Sequence, residues 1–173
     1  MIRSMLFLPG NTPNMLINGD ALGADAVILD LEDAVSPQEK DAARILVRNA
    51  LSRMGFGCRT VVRINALDSG LCQADLEEIV PQGPTALMLP KTANAGQIQQ
   101  LDAEITRLEQ QNGMKPGRVG VIALLETALG VENAFSIATA SPRVLGLFLG
   151  GEDLTADLQC KRTKEGREID YAR

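Results

Sequence analysis

No histidine occurs anywhere in the 173 residues. That absence removes Ser-His-Asp and Cys-His catalysis and every zinc, iron or copper centre that depends on imidazole. Any chemistry must therefore use carboxylates, Arg, Lys, backbone amides or a hard cation. The three cysteines, Cys58, Cys72 and Cys160, are odd in number and nowhere spaced C-x-x-C. Neither a disulfide framework nor a thiolate zinc site is indicated, and they read as reduced structural thiols. Basic charge is short as well. The formal net charge is -5 and Lys and Arg form no cluster, which argues against a nucleic-acid surface and against a polyanionic substrate. No apolar run approaches the roughly 20 residues needed to span a bilayer. The apolar part of MIRSMLFLPG is too short for a signal peptide. These absences predict a cytoplasmic protein with neither a membrane nor a nucleic-acid partner.

The 45% hydrophobic content is enough for one core, so residues 1–173 are expected to form a single domain. Short apolar runs alternate with helical stretches along the chain. Met5 to Leu8 reads as a strand closed by Pro9-Gly10, and Thr12-Pro13 opens a helix that should run to about Leu22 and stop at Gly23. Ala26 to Leu29 is a second strand, followed by Asp30-Leu31-Glu32-Asp33. Ser36-Pro37-Gln38-Glu39 has the pattern of a capping box with proline at the first helical position, predicting a helix to about Arg53. Thr60 to Ile64 is β-branched and strand-like, with a short helix around Asp75 to Val80 after it. Ala86 to Leu89 is strand four, ending in Pro90-Lys91. Asn94 or Thr92 can cap the helix in which Ile98, Leu101, Ile105 and Leu108 recur at three- and four-residue spacing. Val119 to Leu125 is strand five, ending at Glu126, and a helix is expected from about Val131 to Ala140. Val144 to Leu149 then reads as a sixth strand covered on both faces, ended by Gly150-Gly151.

Six β-then-α units predict an α/β fold with parallel, right-handed crossovers. Neither G-x-G-x-x-G after the first strand nor G-x-x-x-x-G-K-[ST] is present, so no nucleotide-binding turn is indicated. Periodicity leaves open a doubly wound sheet or part of a (β/α)8 barrel, which needs two more units. In either case the strand ends share one rim. That rim carries Asp30, Glu32 and Asp33 after strand two, Arg63 after three, Lys91 after four, Glu126 after five, and Glu152 and Asp153 after six. Glu126 and Asp153 follow buried strands directly. A pair of carboxylates without histidine suits Mg²⁺, which prefers oxygen ligands and keeps positions for water and substrate. Arg63 is a planar, permanently charged donor suited to a substrate carboxylate or a developing enolate.

Six motifs, RSMLFLPGN, LDLEDAVSPQEKDAAR, VVRIN, LMLPK, LLETALG and GGEDLTADL, closely resemble those of the citrate lyase β-subunit family, in family order and over nearly the whole chain. The resemblance implies a Mg²⁺-dependent TIM-type (β/α)8 lyase of which this chain holds about six of eight units. It implies cleavage of a citryl thioester, carried on CoA or on an acyl-carrier protein, to oxaloacetate and an acetyl thioester. A stand-alone malyl- or citramalyl-CoA lyase, or a non-catalytic assembly subunit, are the alternatives. By the same resemblance Arg63 contacts substrate, Glu126 contacts metal and substrate, and Asp153 binds metal. Asp30, Glu32 and Asp33 support the site, and Glu152 is a neighbouring loop carboxylate. Lys40 and Arg44 are read as solvated helix charges, not as carrier contacts. Other citrate lyase subunits, or further copies of the chain, are the expected partners. Family members continue through two further strands, so the chain is expected to end where the helix after strand six would begin. A catalytic acidic residue would then be missing and the outer strands left unpaired.

Overall fold

The computed structural model describes residues 2–173. Six strands, β1 (Met5–Pro9), β2 (Ala26–Asp30), β3 (Arg59–Arg63), β4 (Ala86–Leu89), β5 (Gly120–Leu125) and β6 (Val144–Leu149), form one sheet in sequence order. Every pairing is parallel. Helices α1 (Pro13–Asn18), α2 (Lys40–Arg53), α3 (Cys72–Ile79), α4 (Ala95–Gln111), α5 (Ala128–Glu132), α6 (Ala134–Ala138) and α7 (Gly151–Asp157) connect or follow the strands. Sequential order with all-parallel pairing is the arrangement of a (β/α) barrel wall. It differs from a doubly wound sheet, whose strand order reverses at a switch point. Six strands are present, and an eight-stranded closed barrel is not seen among the described residues.

Strand alternation sorts side chains onto two faces. Val27, Leu29, Val62, Leu87, Leu89, Val121, Ala123 and Leu125 join the helices in the larger core. Ile28, Val61, Ala86, Met88, Ile122 and Leu124 form a second cluster on the other face, with Met5 and Phe148 packed against it. Helix α4 binds through the stripe its spacing predicts, with Ile98, Leu101, Ile105 and Leu108 buried. Asn94 caps it: its side chain accepts from the Gln97 N–H, and Gln97 returns a bond to the cap backbone.

The structure departs from the sequence-based expectation at several places. Thr12 makes no cap bond, and the helix expected to Leu22 is α1 followed by a 3-10 turn, Gly19–Leu22. Ser36 forms no cap; its hydroxyl donates to Glu39 Oε2 at 2.9 Å, and a 3-10 turn, Pro37–Glu39, precedes α2. The single helix expected over Val131 to Ala140 is two short helices, with Asn133 at the break and its side-chain amide donating to the Ala93 carbonyl. β6 is not covered on both faces. It pairs only with β5, and Leu145 and Leu147 remain 60% and 39% exposed. Finally, a helix does follow strand six: α7 begins at Gly151, so Glu152 and Asp153 sit in its first turn. Beyond α7, a 3-10 helix, Arg167–Ala172, packs Ile169 inward. No helix among the described residues is long and apolar enough to cross a membrane.

Candidate active site

The parity that puts Ile28, Val61 and Leu124 on the smaller cluster's face carries Asp30, Arg63 and Glu126, two residues further on, to the same face at the carboxyl ends of the strands. Register makes Asp30 and Arg63 direct neighbours. Arg63 grips Asp30 with both edges of its fork: Nε to Oδ1 at 2.7 Å and Nη2 to Oδ2 at 2.5 Å. Nη1 lies 3.1 Å from Glu32 Oε2 and 3.4 Å from Asp33 Oδ2. The first of these is a charge contact without hydrogen-bond alignment, because Glu32 Oε2 is buried and unpartnered as an acceptor. Asp30 also turns the loop by accepting from the backbone N–H groups of Glu32 and Ala34. Arg63 therefore faces the site already held by three acids, and its guanidinium lies 5.1 Å above the Phe7 ring.

Glu126 is 3% exposed. Its Oε2 accepts the backbone N–H of Lys91 at 2.9 Å, and Oε1 has no protein hydrogen-bond partner among the described residues. Burial pushes its carboxyl up to about 7; the Lys91 N–H opposes this, the charges of Glu32 and Asp153 add to it, and Arg63 opposes it. Burial likewise raises Glu32, against its bond to Lys91 and the charge of Arg63, with Asp33 raising it further. Lys91 Nζ contacts Glu32 Oε1 at 2.9 Å. Asp153 is exposed and makes no side-chain hydrogen bond or ion pair among the described residues. Glu152 lines the same cavity as Asp153 and pairs with Arg162 at 3.0 Å.

One open cavity of about 310 Å³ is lined by Phe7, Asp33, Arg63, Glu126, Phe148 and Asp153, together with the Gly150-Gly151 turn. The structure thus brings Arg63, Glu126, Asp153 and Asp33 to one space, with Asp30 and Glu32 behind Arg63. Phe7 and Phe148, from the two outer strands, meet edge to face at 6.1 Å between centroids. No local pattern in the sequence marks them as site residues, although both share the parity of their strands' inward residues. Lys91, on the rim after strand four, bonds Glu126 through its N–H and Glu32 through its ammonium. Lys40 and Arg44 are not solvated helix charges. Lys40 Nζ donates to the carbonyls of Leu31 and Glu32, both at 2.7 Å, and to Asn65 Oδ1 at 2.8 Å. Arg44 is buried and pairs with Asp75 at 2.8 Å, while Asp75 also accepts from the N–H and amide of Asn65. Lys40 thus ties α2 to the loops after β2 and β3, and Arg44 ties it to α3 through Asp75.

Among the described residues no group of three or more His, Cys, Asp or Glu side chains is arranged to hold a metal. The donor set is smaller: two carboxylates, Glu126 with a free oxygen and Asp153 without a protein partner, on one cavity. That set fits a hard cation that keeps several positions for water or substrate. It does not fit a metal needing a complete protein cage.

The α/β fold and acidic rim define the chain as a member of the HpcH/HpaI aldolase/citrate lyase family, whose model matches residues 3–173. It is 42% identical over 172 residues to the citrate lyase subunit beta of Leuconostoc mesenteroides subsp. cremoris, which covers 99% of this chain and 57% of the relative. It is 34% identical over 169 residues to an L-malyl-CoA/beta-methylmalyl-CoA lyase of Cereibacter sphaeroides, 95% of this chain and 52% of that protein. The chain thus spans a little over half the length of these curated relatives. A citrate lyase beta subunit from M. tuberculosis, solved with oxaloacetate and magnesium, superposes with a TM-score of 0.75 at 36% identity, over 95% of this chain and 67% of that one.

Proposed function

We propose that this chain carries the Mg²⁺ and oxo-acid site of a carbon-carbon lyase that cleaves a citryl thioester to oxaloacetate and an acetyl thioester. In this reading its six units are those of a (β/α)8 barrel. The observation that carries the reading is the pairing of Glu126 Oε1 and Asp153, both without protein partners, on one cavity with Arg63. The relatives add support: one is a citrate lyase subunit beta, and a structural neighbour was solved with oxaloacetate and magnesium.

Glu126 and Asp153 would hold the Mg²⁺, which when bound supplies Lewis acidity and a template for the substrate hydroxyl and carboxylate. The substrate hydroxyl loses its proton to a base, and the bond between the carbinol carbon and the thioester α-carbon breaks. The carbinol carbon becomes the ketone of oxaloacetate. The electron pair passes to the thioester enolate, which takes a proton to give the acetyl thioester. Arg63 Nη1, turned toward Asp33 and the cavity, would stabilise the negative charge that moves during cleavage. Asp30 holds that guanidinium in plane so that little reorganisation is needed. Phe7 and Phe148 form an apolar wall beside it.

A malyl- or citramalyl-CoA substrate is the second reading, favoured by the malyl-CoA lyase relative. CoA or an acyl-carrier protein would deliver the thioester, and other citrate lyase subunits or further copies of the chain would be its partners, in keeping with the citrate lyase subunit beta relative. The test is a panel of citryl-CoA, citryl-carrier protein, malyl-CoA and citramalyl-CoA, with release of the oxo acid followed with and without Mg²⁺. Mg²⁺-dependent oxaloacetate release from a citryl thioester supports the proposal. Preferential cleavage of malyl- or citramalyl-CoA moves it to the second reading. No turnover of any thioester, with Mg²⁺ still bound, marks a non-catalytic assembly subunit.

A further inference from the structure

Lys91 stands at the carboxyl end of β4 with φ of +51°. A residue with a Cβ rarely adopts this left-handed conformation, and glycine or asparagine fills it at lower cost. Strain of this kind persists where surrounding contacts over-determine it. Here the contacts are two carboxylates from different strands. The Lys91 N–H donates to Glu126 Oε2 at 2.9 Å, and its ammonium contacts Glu32 Oε1, also at 2.9 Å. The left-handed turn points the N–H toward β5 while the side chain reaches back across β3 to the acidic loop after β2. Glu32 is otherwise held by the Arg63 guanidinium.

We propose that Lys91 is a positioning residue that fixes Glu126 through its backbone and neutralises Glu32 through its side chain, leaving Glu126 Oε1 turned to the cavity to meet a divalent cation. This inference rests on the reading of Glu126 and Asp153 as the cation's ligands. Without the ammonium, Glu32 would keep Arg63 as its one carboxylate ion pair among the described residues, with the Lys40 ammonium bonded to its backbone carbonyl. It would then draw Arg63 away from Asp33 and compete with Glu126 for any cation entering the site.

The experiment is isothermal titration of the full chain with MgCl₂ in the presence of oxaloacetate. It compares wild type with Lys91→Gly, Lys91→Met, Lys91→Arg and the double variant Lys91→Met/Glu32→Gln. Lys91→Gly relieves the left-handed strain and keeps the N–H while removing the ammonium from Glu32, and thermal melting of each variant checks that the chain being titrated is folded. Lys91→Gly and Lys91→Met should weaken Mg²⁺ binding by about tenfold or more, the scale seen when a partner behind a metal ligand is lost. Lys91→Arg should restore most of the affinity. Adding Glu32→Gln to Lys91→Met should recover binding, because the amide needs no cationic partner; a purely structural role for Lys91 would show no such recovery. The inference is overturned if Lys91→Gly binds as tightly as wild type, or if the double variant is no better than Lys91→Met. Absence of Mg²⁺ binding by wild type itself would instead remove the underlying ligand assignment, and this inference with it.

Discussion

A Cβ built on Gly150 would lie 2.5 Å from Glu126 Cγ and 3.0 Å from its Oε1. The close approach is possible because Gly150 ends β6 beside β5, where its N–H donates to the Leu125 carbonyl at 2.9 Å. The absence of a side chain at residue 150 is therefore what lets the Glu126 carboxylate occupy its place against the Lys91 N–H.

Gly150→Ala should displace Glu126 from that bond. Overpacking of this kind costs on the order of 1–3 kcal/mol, and Mg²⁺ affinity should fall together with stability. Glu126→Ala in the same background separates the two effects. It removes the clash, so melting temperature should recover while Mg²⁺ binding stays lost. Recovery of binding would mean that Glu126 is not the ligand.

At the opposite end of the sheet, Arg143 leads into β6 and ties three elements together. It contacts Glu109 Oε2 and Asp102 Oδ1 on α4, at 2.7 and 2.5 Å, and donates to the Val119 carbonyl at 2.9 Å. Glu109 is fully buried and also accepts from the N–H groups of Gly117 and Val119. Arg143→Met would leave that carboxylate buried without its cation, and breaking such a pair costs about 3–5 kcal/mol. Urea denaturation should show the loss. A companion Glu109→Gln should return part of it, and full additivity of the two substitutions would contradict the pairing.

The same cluster sets a pH dependence. Burial raises Glu109 and Asp102, but for Glu109 the Arg143 guanidinium and the backbone donors outweigh it, and for Asp102 the Ser141 hydroxyl and Arg143 do. Both end below their ordinary values of 4.5 and 3.8. A depressed folded value means that the stabilisation is complete above the unfolded values and is lost as pH falls through the folded ones. Denaturation midpoints should therefore drop steeply below about pH 4. In Arg143→Met the contribution of these two acids to that acid slope should largely vanish; an unchanged slope would place the acid sensitivity elsewhere.

Much of this arrangement could be read from the chain because it depends on local pattern. The six strands, their parallel order and the residues at their ends follow from short apolar runs and from the turns that close them. Asn94 and the α4 stripe follow from spacing within one helix. The remainder depends on partners distant in sequence. Lys40 and Arg44 look like surface charges until the loops after β2 and β3 bring Leu31 and Asn65, and helix α3 brings Asp75, against them. The exposure of Leu145 and Leu147 depends on β6 having a single neighbour, which no apolar count reveals. Arg143 and Glu109 lie 34 positions apart in the chain, and nothing local marks them as a pair. The left-handed turn at Lys91 is equally silent, because lysine is not a residue that advertises positive φ.

The central claim is that Glu126 and Asp153 together hold a Mg²⁺ ion on the rim beside Arg63. The most direct measurement is calorimetric titration of MgCl₂ into the full chain with oxaloacetate present, for wild type, Glu126→Gln and Asp153→Asn. Each substitution preserves side-chain shape and removes one anionic ligand. The expected result is saturable binding of one ion by wild type and a loss of at least about tenfold in affinity for each variant. Equal binding by wild type and either variant, or no binding by wild type, would contradict the assignment.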